Sequence, residues 1–356
     1  MNERIPWIDT VKYLCIICVM AHHLESVTQA LDAFYVPFYL IAFFFVSGYT
    51  YTEGDDFRSF LYKKIRCLFI PWMVFSVFNI ILSQILSFNN HGGLLPELGW
   101  NFLQVRGRGD GVWFVAALFV AYIPFYFLIR WSGKLTNWGG GSKNWIVIGI
   151  SFLLSLVSII YAKVVSPELF PWRSNALPWH LEYIFIAMFF MVLGYFFKKR
   201  YENVFDKYNT ATHRRGCWII YLLLVYIPFF SGIRFPMVID IFYQYLCQLM
   251  GIVCVISLAK VIKTNRYISY VGQNTLICFA LHGKCYSLIQ TILKRLASGV
   301  YAMILFNVAL SSLFAIAFSL LLSVILIIPA YIINRCFPFL LGRKSRQRDM
   351  RRAAHD

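Results

Sequence analysis

The chain has 356 residues, of which 60% are hydrophobic, 19% aromatic and only 14% charged, with a mean hydropathy of +0.65. That balance excludes a soluble globular enzyme of this size. Its apolar runs are continuous and close to twenty residues rather than alternating, which excludes a β-barrel. The formal net charge of +17 resembles a nucleic-acid footprint until the charges are located. They sit between the apolar runs, where they set topology, so no nucleic-acid partner is expected.

Ten spans fit the hydropathy: 8–27, 33–52, 67–87, 112–130, 145–164, 180–197, 217–235, 240–260, 268–290 and 301–333. The first follows no small-residue cleavage pattern and reads as a span rather than a signal peptide. With the N-terminus inside, 25 of the 33 basic residues fall in or beside the cytoplasmic segments and 8 lie elsewhere. The expectation is an all-α polytopic membrane protein of about ten transmembrane helices, N-in and C-in, in the cell (inner or plasma) membrane. Residues 1–342 form one transmembrane domain, and 343–356 a basic cytoplasmic tail that meets anionic lipid headgroups. The longest outer loop, 88–111, is glycine-rich, and the outer segment 165–179 carries Pro167, Pro171, Pro178, Trp172 and Trp179.

Chemistry concentrates in the first span. Lys12 and His23 are eleven residues apart, so on an α-helix they share a face, separated by roughly 16 Å. Ionisable groups in a span mark a substrate path or a reaction centre. His22 points ~100° away from His23 and is expected to hydrogen-bond a neighbouring helix. Asp9 is placed to pair with Lys12, and Glu25 to orient an imidazole. Cys15 and Cys18 form a CxxC inside a helix with no second ligand pair, so no metal site is expected. In Phe43-Phe44-Phe45-Val46-Ser47-Gly48-Tyr49, Ser47 is a small hydroxyl in an aromatic wall, read either as a packing notch or as a ligand contact. Lys63, Lys64 and Arg66 precede Ile70-Pro71-Trp72 and serve either as topology signals or as phosphate ligands. Further along, Trp113 opens the fourth span, His180 and Glu182 open the sixth, and His282 and Lys284 lie inside the ninth.

These residues in this order resemble the start of the acyltransferase 3 family, in its fucose 4-O-acetylase-like branch. The resemblance rests on Lys12-x10-His23 after Trp7-Ile8-Asp9, followed by Phe43 to Tyr49. It continues through Lys64-Ile65-Arg66-Cys67-Leu68 with Pro71, Trp113-Phe114, Leu177-Pro178-Trp179 and Gly194-Tyr195. It ends with Gly272-Gln273-Asn274-Thr275-Leu276, His282 and Phe337-Pro338-Phe339-Leu340-Leu341-Gly342. The resemblance implies ten helices and an O-acetyltransferase that moves acetyl from cytoplasmic acetyl-CoA to a hydroxyl of a cell-surface glycan or its precursor. It maps the family's catalytic element onto Lys12 and His23. Two departures stand out: Lys12 occupies a position where many members have Arg, which forgoes bidentate phosphate contact, and His22 stands where a small residue is expected.

On this reading Lys64, Arg66 and Ser47 contact the donor, and Trp113, Glu182 and His282 contact the acceptor. His23 either takes the hydroxyl proton or carries the acyl group itself. The competing class is a transporter or flippase, in which intramembrane His, Lys and Asp line a path. Against it, the sequence shows no paired broken segments of an inverted repeat. A larger acyl donor would keep the fold and change only the pocket.

Overall fold

The computed structural model describes residues 4–85, 93–107, 111–134 and 140–342, with the backbone alone at 140–143. The 88–111 loop is thus covered in part, and the 343–356 tail lies outside the described residues. The described chain is helical, with no strand. Nine helical stretches among the described residues are long and apolar enough to cross a membrane: Gln29–Tyr49, Phe57–Ile85, Trp113–Lys134, Asn144–Val164, Pro178–Tyr208, Ala211–Ser231, Met237–Ala259, Thr275–Leu296 and Val308–Cys336. They follow the second to tenth predicted spans in order.

The first predicted span differs. Helix α1, Pro6–His22, has 17 residues, roughly 25 Å of rise against a hydrocarbon core of about 30 Å. The hydropathy window 8–27 averaged over a break that the local chemistry dictates. His22-His23-Leu24-Glu25-Ser26 is too polar to continue the apolar run, and His23 turns the chain out of the helix at φ −88°, ψ 2°. The Thr28 hydroxyl then accepts the Leu31 N–H at 3.2 Å and starts α2, Gln29–Tyr35, which α3, Tyr39–Tyr49, follows.

Two compact units divide the chain, Met1–Thr50 with Leu193–Ile327, and Tyr51–Val192 with Ile328–Asp356. In the second unit, Asp56 caps α4, Phe57–Lys64, by accepting the Arg58 and Ser59 N–H groups. The chain passes through a π-helical turn, Ile65–Phe69, into α5, Ile70–Ile85, and then α6, Leu94–Leu103. Helix α7, Trp113–Lys134, is the hub of this unit and contacts α4, the π turn, α8 (Gly140–Val164) and a 3-10 turn at Pro178–Tyr183. Aromatic rings fill its core: Phe60 stacks on Tyr126 with centroids 4.6 Å apart, and Trp72 is fully buried. The Pro338–Leu341 turn ends at Gly342, whose φ of +68° demands glycine and whose Cα lies against the Arg66 backbone carbonyl. That approach explains the glycine that closes the Phe337-to-Gly342 motif.

The chain passes into the first unit within α9, Ile184–Phe196. Helices α10, Glu202–Tyr208, α11, Ala211–Ser231, and α12, Met237–Ala259, follow. Asn265 caps α13, Arg266–Gln273, by accepting the Ile268 N–H at 2.8 Å. The predicted span 268–290 breaks here, because buried Asn274 turns its amide back to the Tyr270 carbonyl at 2.8 Å and α14 restarts at Thr275 and runs to Leu296. Helices α15, Ser298–Phe306, and α16, Val308–Ile325, complete the unit, while α17, Ile327–Cys336, belongs almost entirely to the other. Helix α1 is the axis of the first unit, with Val11, Cys15, Ile16, Val19 and Met20 buried. It contacts α3, α12, α13, α14 and α16. Close packing on α13 requires Gly272, since a Cβ there would overlap the Asp9 carbonyl.

Candidate functional site

Helix α1 carries Lys12 and His23 at two levels, as the spacing requires. Lys12 is half-buried and makes no ion pair or hydrogen bond to any described residue. The expected Asp9–Lys12 pair does not form, because Arg4 reaches Asp9 at 2.7 Å and Ser269 donates to it at 3.2 Å. Buried Asp9 therefore ties the N-terminal arm and α13 to α1. Helix α3 runs back along α1, with Tyr39 near His22 (centroids 5.8 Å) and Tyr49 near Trp7 (4.9 Å). Half-buried Ser47 thus sits toward the Trp7 end, away from the histidines.

At the other end of α1 three imidazoles lie in a row. His23 has His22 on one side, with centroids 5.4 Å apart, and His282 on the other, at 5.0 Å. His282 lies seven residues into α14, roughly 10 Å along it, so the short α1 ends inside the apolar length of its longer neighbour. This is how a helix-capping histidine comes to lie beside the apolar length of α14. Buried His282 has Nδ1 2.8 Å from the Phe279 carbonyl oxygen and 3.2 Å from that of Cys278. Carbonyls only accept, so Nδ1 carries the proton and Nε2 presents a lone pair. His22 Nδ1 meets the Asp32 carboxylate at 2.8 Å. Both neighbours of His23 therefore have a committed Nδ1, while His23 itself, the most exposed of the three, has ring contacts and no hydrogen bond to any described residue.

The segment after His23 is strapped to α14, α15 and α16. The Glu25 N–H donates to the Tyr286 hydroxyl at 2.8 Å, and its carboxylate meets Lys294 at 2.8 Å, Tyr301 at 3.2 Å and Gln290. Ser311 donates to the Ser26 carbonyl, and Thr28 meets Ser312 at 2.9 Å. Glu25 thus braces the loop rather than orienting an imidazole. The Lys294 ammonium, hydrogen-bonded to it, holds the Glu25 carboxyl below the ordinary carboxylate range.

The remaining sequence-predicted residues lie in the second unit, except for Ser47 and His282. Lys64 Nζ stands 3.5 Å over the Tyr122 ring, and Lys63 pairs with Asp55 at 2.7 Å. Arg66, half-buried in the π turn, makes no ion pair with a described residue. An open cavity of about 390 Å³ near this cluster is lined by Arg58, Ser59, Leu61, Tyr62 and Ile65. Trp113 and Glu182 come together through His180, whose ring centroid is 5.1 Å from that of Trp113 and whose Nδ1 is 3.8 Å from Glu182 Oε1. Of the acceptor candidates named together in the sequence, Trp113 and Glu182 belong to one unit, and His282, beside His23, belongs to the other.

Helices of this length and hydropathy define a multi-pass membrane protein. A family model described as an acyltransferase domain, that of the acyltransferase 3 family, matches residues 5–328. The chain belongs to that family and is a membrane acyltransferase. No curated protein and no solved structure matches it significantly.

Proposed function

We propose that the protein moves an acetyl group from cytoplasmic acetyl-CoA to a hydroxyl of a cell-surface glycan or its precursor, in the cell's inner or plasma membrane. The row His22–His23–His282 carries the reading. With Asp32 on His22 and backbone carbonyls on His282, His23 is the imidazole left to act on a substrate. An imidazole is largely neutral at pH 7. His23 takes the hydroxyl proton as that oxygen attacks the thioester carbonyl; the C–O bond forms, the C–S bond breaks, and the proton passes to the leaving thiolate. An acyl-His23 relay is the alternative order of the same bonds.

Lys12, uncommitted and roughly 16 Å from His23 along α1, supplies a cation for the phosphates at the donor's far end. Ser47, toward the same end of α3, is placed for the donor as well. In the second unit, Arg66 is the cation best suited to a phosphate, because Lys64 is occupied by the Tyr122 ring. The motifs favour the fucose 4-O-acetylase-like branch and hence a sugar acceptor.

The test is thioester consumption. Detergent-purified protein given acetyl-CoA and envelope glycan is expected to release free CoA, and His23→Ala, at equal yield, to release none above background. Equal release by the two proteins would refute the assignment.

A further inference from the structure

His180 is fully buried, yet neither ring nitrogen has a hydrogen-bond partner among the described residues. An orphaned buried imidazole is costly and calls for a group that both donates and accepts. The backbone is built to hold it there: Trp179 and His180 both adopt left-handed conformations, with φ of +59° and +55°, which non-glycine residues rarely tolerate. Two further buried donors around the same turn are also unpartnered. Trp72 Nε1 is one, its ring 5.0 Å from Trp179, and the Tyr161 hydroxyl is the other, within electrostatic reach of Glu182.

We propose that Trp113, His180 and Glu182 bind a neutral pyranose ring. The gap of 3.8 Å between His180 Nδ1 and Glu182 Oε1 is too long for a hydrogen bond. One hydroxyl about 2.8 Å from each closes it, accepting from a protonated imidazole Nδ1 and donating to the carboxylate. Glu182 is itself fixed, because its Oε2 accepts the Leu177 N–H at 2.8 Å. The Glu182 carboxylate at the centre, balanced by the Arg106 guanidinium 5.5 Å over the Trp113 ring, favours a neutral polyol over an anionic ligand. Trp113, half-buried and 5.1 Å from His180, places an aromatic surface beside those polar groups, and sugars bind where an apolar ring face meets directed hydrogen bonds. Water would satisfy His180 equally well, but it would make no use of the indole.

The inference takes its ligand class from the sugar acceptor of the proposed function, and it is tested without catalysis. The full chain carrying His23→Ala, in nanodiscs, is mixed with methyl glycosides of fucose, rhamnose, galactose, glucose and mannose, and saturation transfer from protein to sugar is recorded by NMR. At least one glycoside is expected to take up saturation. Glu182→Gln and His180→Gln are each expected to weaken that signal about tenfold, as loss of a charged or buried hydrogen-bond partner requires, and Trp113→Phe to weaken it less. Melting temperatures close to the parent's show that the variants are folded. The absence of transfer from every glycoside, or transfer untouched in folded Glu182→Gln, overturns the proposal. Sugar binding in a chain whose wild type releases no CoA would instead sink the acetyltransferase reading and leave this site standing.

Discussion

A single side chain at the end of α1 is placed by its neighbours more than by its own bonds. His23 lies between His22 and His282, and each of those is anchored by an acceptor at Nδ1. The eleven-residue interval from Lys12 to His23 was legible, because helical geometry alone puts the two on one face. Asp32 was not. It reaches His22 only because the chain turns sharply between α1 and α2, and no periodicity encodes that turn. Asp9 was misassigned for a related reason: Arg4, before the helix, competes for it at 2.7 Å. Two outcomes follow at this scale. Lys12→Ala is expected to raise KM for acetyl-CoA about tenfold, the effect of one charge-assisted phosphate contact, with kcat little changed. Asp32→Asn is expected to lower kcat roughly tenfold at unchanged KM, because misplacing His22 misplaces His23. A KM change in the second variant, or a kcat loss confined to the first, would contradict these roles.

At the scale of elements, the number and order of apolar helices were readable from hydropathy, but their breaks were not. Averaging over about nineteen residues hides a polar pair such as His22-His23 or a cap such as Asn274. Yet those breaks position the site, ending α1 against the middle of α14. The α1–α13 contact depends on Gly272, so Gly272→Ala is expected to cost about 1–3 kcal/mol and lower the melting temperature in detergent. The strap after His23 carries a pH signature. Glu25 is held below its ordinary range by Lys294, so its contribution is present at neutral pH and is lost as pH falls through that lowered value. Hydrogen exchange in residues 23–28 is expected to stay slow down to the ordinary carboxylate range of about pH 4 and to quicken below it. Glu25→Gln is expected to quicken it already at neutral pH. Exchange indifferent to both changes would show that the strap does not hold the loop.

At the scale of the molecule, composition alone placed the chain in a membrane, and the family match over residues 5–328 makes it an acyltransferase. Its two-unit division was not legible, because each unit is assembled from segments distant in sequence, residues 1–50 joining 193–327. Trp113 and Glu182 were grouped from the sequence, but the place of His180 between them, which depends on a left-handed turn between α8 and α9, was not legible. The whole account turns on whether His23 serves acyl transfer to a glycan. The most direct measurement supplies radiolabelled acetyl-CoA to membrane vesicles containing either the wild type or His23→Ala at matched levels, and counts alkali-labile label on the glycan fraction. Label with the wild type and none with the variant is the expected result. Equal label in both, or none in either, would contradict it.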